Sequence, residues 1–314
     1  MRILVTGVTG QVGRALVERL PLSVTVLAAD RSILDLAEPR ALARTLDRLE
    51  PHVIFNPAAY TGVDQAEDEP ALAARINGEA PGAIARWAAA RNVPLIHLST
   101  DYVFGGSGEQ AWREDDAPQP LSVYGASKLA GENEVRSAGG TFLIVRTSWV
   151  YAVAGKNFLR TIARLARERT ELRIVADQIG APTSAALIAD AAAGLVSEGV
   201  DAFRERSARA GGLVHLAASG ETSWHGFACA IVEGLKARGI ALAVERITPI
   251  ASEDYPAKAP RPRNSRLDLS RLRTVFGLTP LSWQNALASE LDRLARELTT
   301  STSNGGSAAL RTPV

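Results

Sequence analysis

Three glycines place the strongest constraint on this chain. Gly7, Gly10 and Gly13 form G-x-x-G-x-x-G directly after the β-branched run Arg2–Thr6. They open a helical pattern over residues 11–20, in which Val12, Leu16 and Leu20 recur every fourth position. A strand-to-helix turn without side chains lets backbone amides and a helix N-terminus approach a pyrophosphate. The last glycine of such a turn permits close packing of helix on strand.

The same unit then repeats. Strands are predicted at residues 24–28, 52–56, 94–99 and 142–147, separated by helical patterns at 40–49, 63–77, 80–91 and 121–137. Apolar strands alternating with helices imply an α/β fold with a parallel, doubly wound sheet. Beyond residue 150 the pattern loosens. Helices are predicted at 157–168, 185–197, 223–238 and 281–299, with short strands at 172–175 and 213–216. The reading is a cofactor lobe over 1–150, with returning segments at about 171–198 and 213–218, interleaved with a smaller α/β C-terminal lobe over 151–298. Residues 201–212 are expected to form a solvated loop, 251–266 an ordered surface loop rich in proline and arginine, and 299–314 a disordered tail.

Composition excludes more than it proposes. Of the 314 residues, 46% are hydrophobic, and 35 Lys+Arg against 34 Asp+Glu leave a net charge of +1. That balance gives no global case for nucleic acid or an anionic membrane as partner, so a small molecule is expected. No stretch approaches 18 apolar residues without a charge, and the N-terminal apolar run is too short for a signal peptide. With a lone Cys229 as well, the expected compartment is the reducing cytoplasm.

Two residues bear on the cofactor. Asp30 ends the second predicted strand, where an acidic side chain bonds the ribose hydroxyls of NAD; Arg31 follows it and suits the 2′-phosphate of NADP. The sequence supports NADPH and NADH alike.

Chemistry is suggested further along. Tyr124 and Lys128 stand four residues apart, on one face of a helix. A cation beside the phenol is expected to lower a pKa that is ordinarily near 10. Thr100 sits at the C-terminal end of a predicted strand, the edge at which open α/β sheets bind ligands. Its hydroxyl is placed to hold a carbonyl oxygen beside the tyrosine. The glycine turn, Thr100 and the Tyr124/Lys128 pair together resemble an extended short-chain dehydrogenase/reductase with a Rossmann-type sheet. In dehydratases of that superfamily an acidic pair follows the threonine, whereas here Asp101 is followed by Tyr102.

A narrower resemblance runs over nearly all of the chain to about residue 295. T-G-x-x-G-Q-V-G at 6–13, N-P-A-A-Y-T-x-V-D at 56–64, S-T-D-Y-V-F at 99–104 and P-L-S-V-Y-G-A-S-K-L-A-G-E at 120–132 are similar to dTDP-4-dehydrorhamnose reductases. So are R-T-S-W-V-Y at 146–151, N-F at 157–158, D-Q-x-G-A-P-T at 177–183 and R-P-x-N-S-R-L at 261–267. The resemblance implies reduction of the C4 ketone of dTDP-4-dehydro-L-rhamnose with NADPH or NADH, for cell-surface polysaccharide. It implies that Gly10, Gln11 and Val12 contact the pyrophosphate, Asp30 the ribose, Asp35 and Leu36 the adenine, and Ala59, Tyr60 and Thr61 the middle of the cofactor.

It further assigns Thr100, Tyr124 and Lys128 to catalysis, and Thr100, Asp101, Tyr124, Trp149, Asn157, Arg261 and Arg263 to the nucleotide sugar. Some members are dimers bridged by magnesium on glutamates. The corresponding positions are Ala15, Ala186 and Arg293, so no metal is expected, and a monomer or homodimer stays open. His52, His97, His215 and His225 lack metal spacing and are expected to be structural or surface histidines, and Cys229, within a helical run, is expected to serve packing. An NAD-binding regulatory subunit and a nucleotide-sugar epimerase or dehydratase are the competing readings. Net consumption of cofactor separates a reductase from both.

Overall fold

Successive residues of a strand face opposite sides of its sheet, and the first strand shows what that builds. In a computed structural model, which describes residues 1–305, Ile3 and Val5 enter one buried cluster and Leu4 the other. Val53 and Phe55 divide from Ile54 in the same way, as do Leu143 and Val145 from Ile144. A sheet apolar on both faces must be covered on both, and helices cover it here.

In chain order the first half is β1 (Arg2–Thr6), α1 (Gln11–Arg19), β2 (Thr25–Ala29), α2 (Pro39–Leu49), β3 (Val53–Asn56), α3 (Val63–Ala66), α4 (Pro70–Ala74), α5 (Ala80–Ala90), β4 (Leu95–Thr100), α6 (Val123–Ala138) and β5 (Phe142–Thr147). The remainder is β6 (Val150–Tyr151), α7 (Phe158–Glu168), β7 (Glu171–Val175), β8 (Ile179–Gly180), β9 (Thr183–Ser184), α8 (Ala185–Val196), α9 (Val200–Arg209), β10 (Leu213–His215), β11 (Thr222–Ser223), α10 (Trp224–Lys236), β12 (Arg246–Ile250), α11 (Ser270–Phe276) and α12 (Trp283–Gly305). Six strands form one parallel sheet in the order β10-β5-β4-β3-β1-β2. The chain leaves β1 for β2 on one side and returns to β3 on the other. The C-terminal ends of β1 and β3 therefore flank the switch point, where sheets of this kind bind their ligands.

Four expectations are corrected. Residues 201–212 are largely helix α9, with Phe203 fully buried and only Ala210, Gly211 and Gly212 outside the helix. Its arginines had suggested solvent, but Arg204 and Arg206 pair with Asp201 and Glu198 while Phe203 anchors the inner face. The strand at 171–175 does not rejoin the central sheet; β7 pairs with β12, where Arg246 meets Glu171. β12 itself was not predicted, since Pro249 interrupts its pattern. The pattern read as one helix over 63–77 is divided into α3, α4 and a π-helical turn at Arg75–Glu79. The last helix continues past residue 299 to Gly305; the rest of the expected tail lies outside the described residues.

Candidate active site

The glycine turn forms as its spacing requires. Gly7 has φ +58°, a left-handed conformation that favours glycine, and a Cβ there would lie 2.9 Å from the Cβ of Ala58. A Cβ on Gly13 would come within 2.3 Å of the Gly7 carbonyl oxygen, so this glycine lets α1 approach β1. Gly10 is the N-cap of α1, no side chain caps the helix, and a Cβ there would meet only the Gly7 oxygen at 3.2 Å. The open helix end, with its unpartnered backbone N–H groups, suits a pyrophosphate.

At the end of β2, Asp30 is tied locally: Ser32 donates its amide at 2.9 Å and its hydroxyl at 2.6 Å to Oδ1. These bonds hold its carboxyl below the usual range. Arg31 is exposed and pairs with Asp35 at 3.2 Å, while Leu36 is buried. The loop after β3 brings Ala59, Tyr60 and Thr61 to the other side of the switch point.

Asn77, not anticipated from the sequence, fixes that loop. Its Oδ1 accepts from the Tyr60 amide at 2.8 Å, and its Nδ2 donates to the Tyr60 carbonyl and to the Ser127 hydroxyl, both at 3.0 Å. One buried amide thereby joins the loop to α6. A polar residue within a helical run carries no signal of such a role.

β4 and α6 carry the reactive groups. Thr100 ends β4, and its Oγ1 donates to Asp101 Oδ1 at 3.1 Å. Ser122 caps α6 by accepting from the Gly125 amide, so Tyr124 lies in the first turn and Lys128 one turn on. A Cβ on Gly125 would lie 2.2 Å from the Tyr102 carbonyl oxygen, so this glycine seats α6 against the turn after β4. The Tyr102 and Tyr124 rings meet edge to face at 5.6 Å.

Burial raises Tyr124 to about 12; the Thr100 hydroxyl pulls the other way and Asp101 adds to the rise. The expected lowering by Lys128 is not seen. Its ammonium donates instead to the Leu98 carbonyl at 2.7 Å and is itself lowered to about 8 by burial, against the opposing pull of Glu132. Glu132 is buried and engaged with Arg146 through two hydrogen bonds of 2.8 and 2.7 Å and with Ser99 at 2.6 Å. Burial also lifts Asp101 to about 7, opposed by the nearby hydroxyls of Ser265 and Thr100. Asp101 Oδ2 and Ser265 Oγ are each buried without a hydrogen-bond partner.

The remaining predicted residues divide. Trp149 has φ +49°, stacks on Trp224 with ring centroids 3.7 Å apart, and packs over Gly180. Asn157 is engaged with the backbone: it caps α7 through Oδ1 and donates to the carbonyls of Ala152 and Ala154. The positive charge of the 261–266 loop is matched residue by residue, Arg261 with Asp64, Arg263 with Glu253 and Arg266 with Glu221. Burial holds His97 neutral and lowers His215 to about 3, and the His225 ring meets the Ile247 carbonyl. Arg293 pairs with Glu290. Among the described residues, no helix is long and apolar enough to cross a membrane.

Comparison with known proteins bears on the family and the fold. The family model described as the RmlD substrate binding domain matches residues 1–296. A dTDP-4-dehydrorhamnose reductase from Burkholderia thailandensis is 47% identical over 293 residues, covering 91% of this chain and 97% of that protein. The crystal structure of a dTDP-4-dehydrorhamnose reductase from Clostridium acetobutylicum superposes with a TM-score of 0.85 at 33% identity, covering 94% of this chain and 99% of the other. That of the Bacillus anthracis enzyme in complex with NADP gives 0.82 at 33% identity, covering 93% and 99%. The chain thus belongs to the dTDP-4-dehydrorhamnose reductase family.

Proposed function

We propose that this protein reduces the C4 ketone of dTDP-4-dehydro-L-rhamnose with NADPH or NADH, yielding dTDP-L-rhamnose. The observation that carries the reading is the meeting of Thr100, Tyr124 and Lys128 at the C-terminal edge of β4, beside the switch point. The NADP complex of the Bacillus anthracis relative supports the cofactor class.

When bound, the cofactor supplies the hydride that a carbonyl carbon accepts. Gly7, Gly10, Gln11, Val12 and Gly13 would hold its pyrophosphate, Asp30 and Arg31 its ribose end, Asp35 and Leu36 its adenine, and Ala59, Tyr60 and Thr61 its middle. Thr100 orients the ketone oxygen. Tyr124, raised to about 12, is fully protonated at neutral pH and donates that proton from Oη as negative charge develops on the C4 oxygen. Lys128 directs a buried positive charge to the same corner, where it stabilises that charge and the cofactor ribose. Asp101 and Trp149 face the sugar; Arg261 and Arg263 meet the diphosphate, for which a planar guanidinium has matching donors. Asn157 is left to the fold.

Tyr124→Phe is expected to lower kcat by roughly 10²- to 10⁴-fold while NADPH binding is retained. The assay follows NADPH and NADH oxidation against enzymatically generated dTDP-4-dehydrorhamnose. An epimerase, a dehydratase or a regulatory subunit gives no net oxidation, and absence of turnover with both cofactors defeats the reading.

A further inference from the structure

Among the carboxylates that the mechanism above does not use is Asp64. Asp64, in α3 just past the cofactor loop, accepts four hydrogen bonds from residues almost 200 positions away. Arg261 donates Nη1 at 2.6 Å and Nη2 at 2.7 Å, and the amides of Lys258 and Ala259 donate at 3.0 and 2.9 Å. The Lys258 ammonium pairs with Asp68 one turn along. Chiefly through the Arg261 bond, the Asp64 carboxyl is held far below the usual carboxylate range and stays ionised.

The guanidinium is consequently used in a particular way. A planar guanidinium has an end-on edge, Nη1 with Nη2, and a side-on edge, Nε with Nη2, and either accommodates two acceptor oxygens. Asp64 occupies the end-on edge, and the other Nη1 hydrogen goes to the Ala259 carbonyl at 2.5 Å. Two of the five N–H groups remain, Nε–H and the second Nη2–H, both on the side-on edge. Among the described residues no acceptor meets them.

The backbone behind Arg261 is equally fixed. Pro262 packs on Gly106, where a Cβ would lie 2.4 Å from the Pro262 Cα; the Asn264 amide donates to the Gly106 carbonyl, and the Ile179 amide to the Arg263 carbonyl. The segment reaches Ser265, whose hydroxyl lies by Asp101.

We infer that Asp64 is a positioning residue that holds Arg261 end-on, so that the side-on pair of donors is presented to the diphosphate of a nucleoside-diphosphate ligand. This rests on the proposed role of Arg261. Fixing a flexible arginine before the ligand arrives removes an ordering cost from binding. The opposite arrangement, in which Asp64 competes with the diphosphate for Arg261, predicts that removing the carboxylate tightens binding.

Asp64→Asn separates the two, because the amide keeps one acceptor oxygen for the Lys258 and Ala259 N–H groups. The Kd of thymidine diphosphate, measured by calorimetry on the full chain, and the KM of the sugar nucleotide are each expected to rise about tenfold. The kcat and the NADPH Kd stay within about twofold, a split that general loss of structure does not produce. In an Arg261→Gln background the Asp64→Asn change adds nothing further. If Arg261→Gln weakens thymidine diphosphate binding but Asp64→Asn does not, or tightens it, positioning is overturned and the Arg261 assignment stands. If Arg261→Gln has no effect, both fall. Should Asp64→Asn misfold, Asp64→Glu keeps the charge and is expected to bind more tightly than Asp64→Ala; equal binding by the two overturns the inference.

Discussion

At the residue scale, two groups with opposite responses to burial stand at the end of β4. Burial raises an acid and lowers a base, because each avoids its charged form. Asp101 is thereby brought to about 7 and Lys128 to about 8. On the proposed reading, Asp101 bears on proton delivery in two ways. While neutral it can donate to an oxygen acquiring negative charge, and once ionised its charge opposes that build-up and makes Tyr124 a weaker acid. The sign is therefore fixed: kcat/KM falls as pH rises through about 7. We expect a fall of roughly tenfold between pH 7 and 8.5 in the wild type; in Asp101→Asn, which stays neutral throughout, the component near 7 is lost and only a shallower decline through about 8 remains, as Lys128 gives up its charge. A profile that falls equally in the variant assigns the titration to another group.

At the scale of elements, what the sequence made legible depended on whether a role is local. The glycine turn could be read because Gly10 and Gly13 answer to atoms within seven residues, although Gly7 also meets Ala58 in the loop after β3. The structure separates their tasks. Gly10→Val projects into the open helix end, where the nearest obstacle is the Gly7 oxygen at 3.2 Å, so NADPH binding is expected to be abolished while the melting temperature changes little. Gly13→Ala presses a methyl group to 2.3 Å from the same oxygen and should cost about 1–3 kcal/mol of stability, seen in urea unfolding. A reversed pattern, with Gly10→Val unfolding the chain, would remove the open-cradle account. The Tyr124 and Lys128 spacing was likewise legible, being one helical turn. Asn77, Trp224 and the α9 helix were not. Asn77 acts across 17 and 50 residues, the Trp224 partner lies 75 positions away, and the charged face of α9 outnumbers the single Phe203 that orders it. The site residues carried over by resemblance fared similarly: Tyr124 and Thr100 converge, whereas Asn157 is engaged with its own loop.

Across the whole molecule, residues 246–261 form a strap held by carboxylates belonging to distant elements. Glu171 binds Arg246 and Thr248, Asp177 accepts from the Ser252 amide and hydroxyl, and Asp64 holds residues 258–261. All three carboxyls are lowered in the folded chain: Asp64 and Glu171 first by their arginine hydrogen bonds, Asp177 by Ser252 in spite of burial. A carboxyl lowered on folding contributes stability that is present above its ordinary value, here 3.8 or 4.5, and is lost as pH falls through the folded one. Acid should therefore loosen the strap while the central sheet, whose strands are joined by backbone hydrogen bonds and apolar packing, stays folded. Hydrogen exchange, corrected for intrinsic rates, tests this at the Lys258 and Ala259 amides, both donors to Asp64. Their protection is expected to decline as pH is lowered below about 4, ahead of the β4 and β5 amides. Loss of protection in all of these at the same pH would show that the strap opens only with global unfolding.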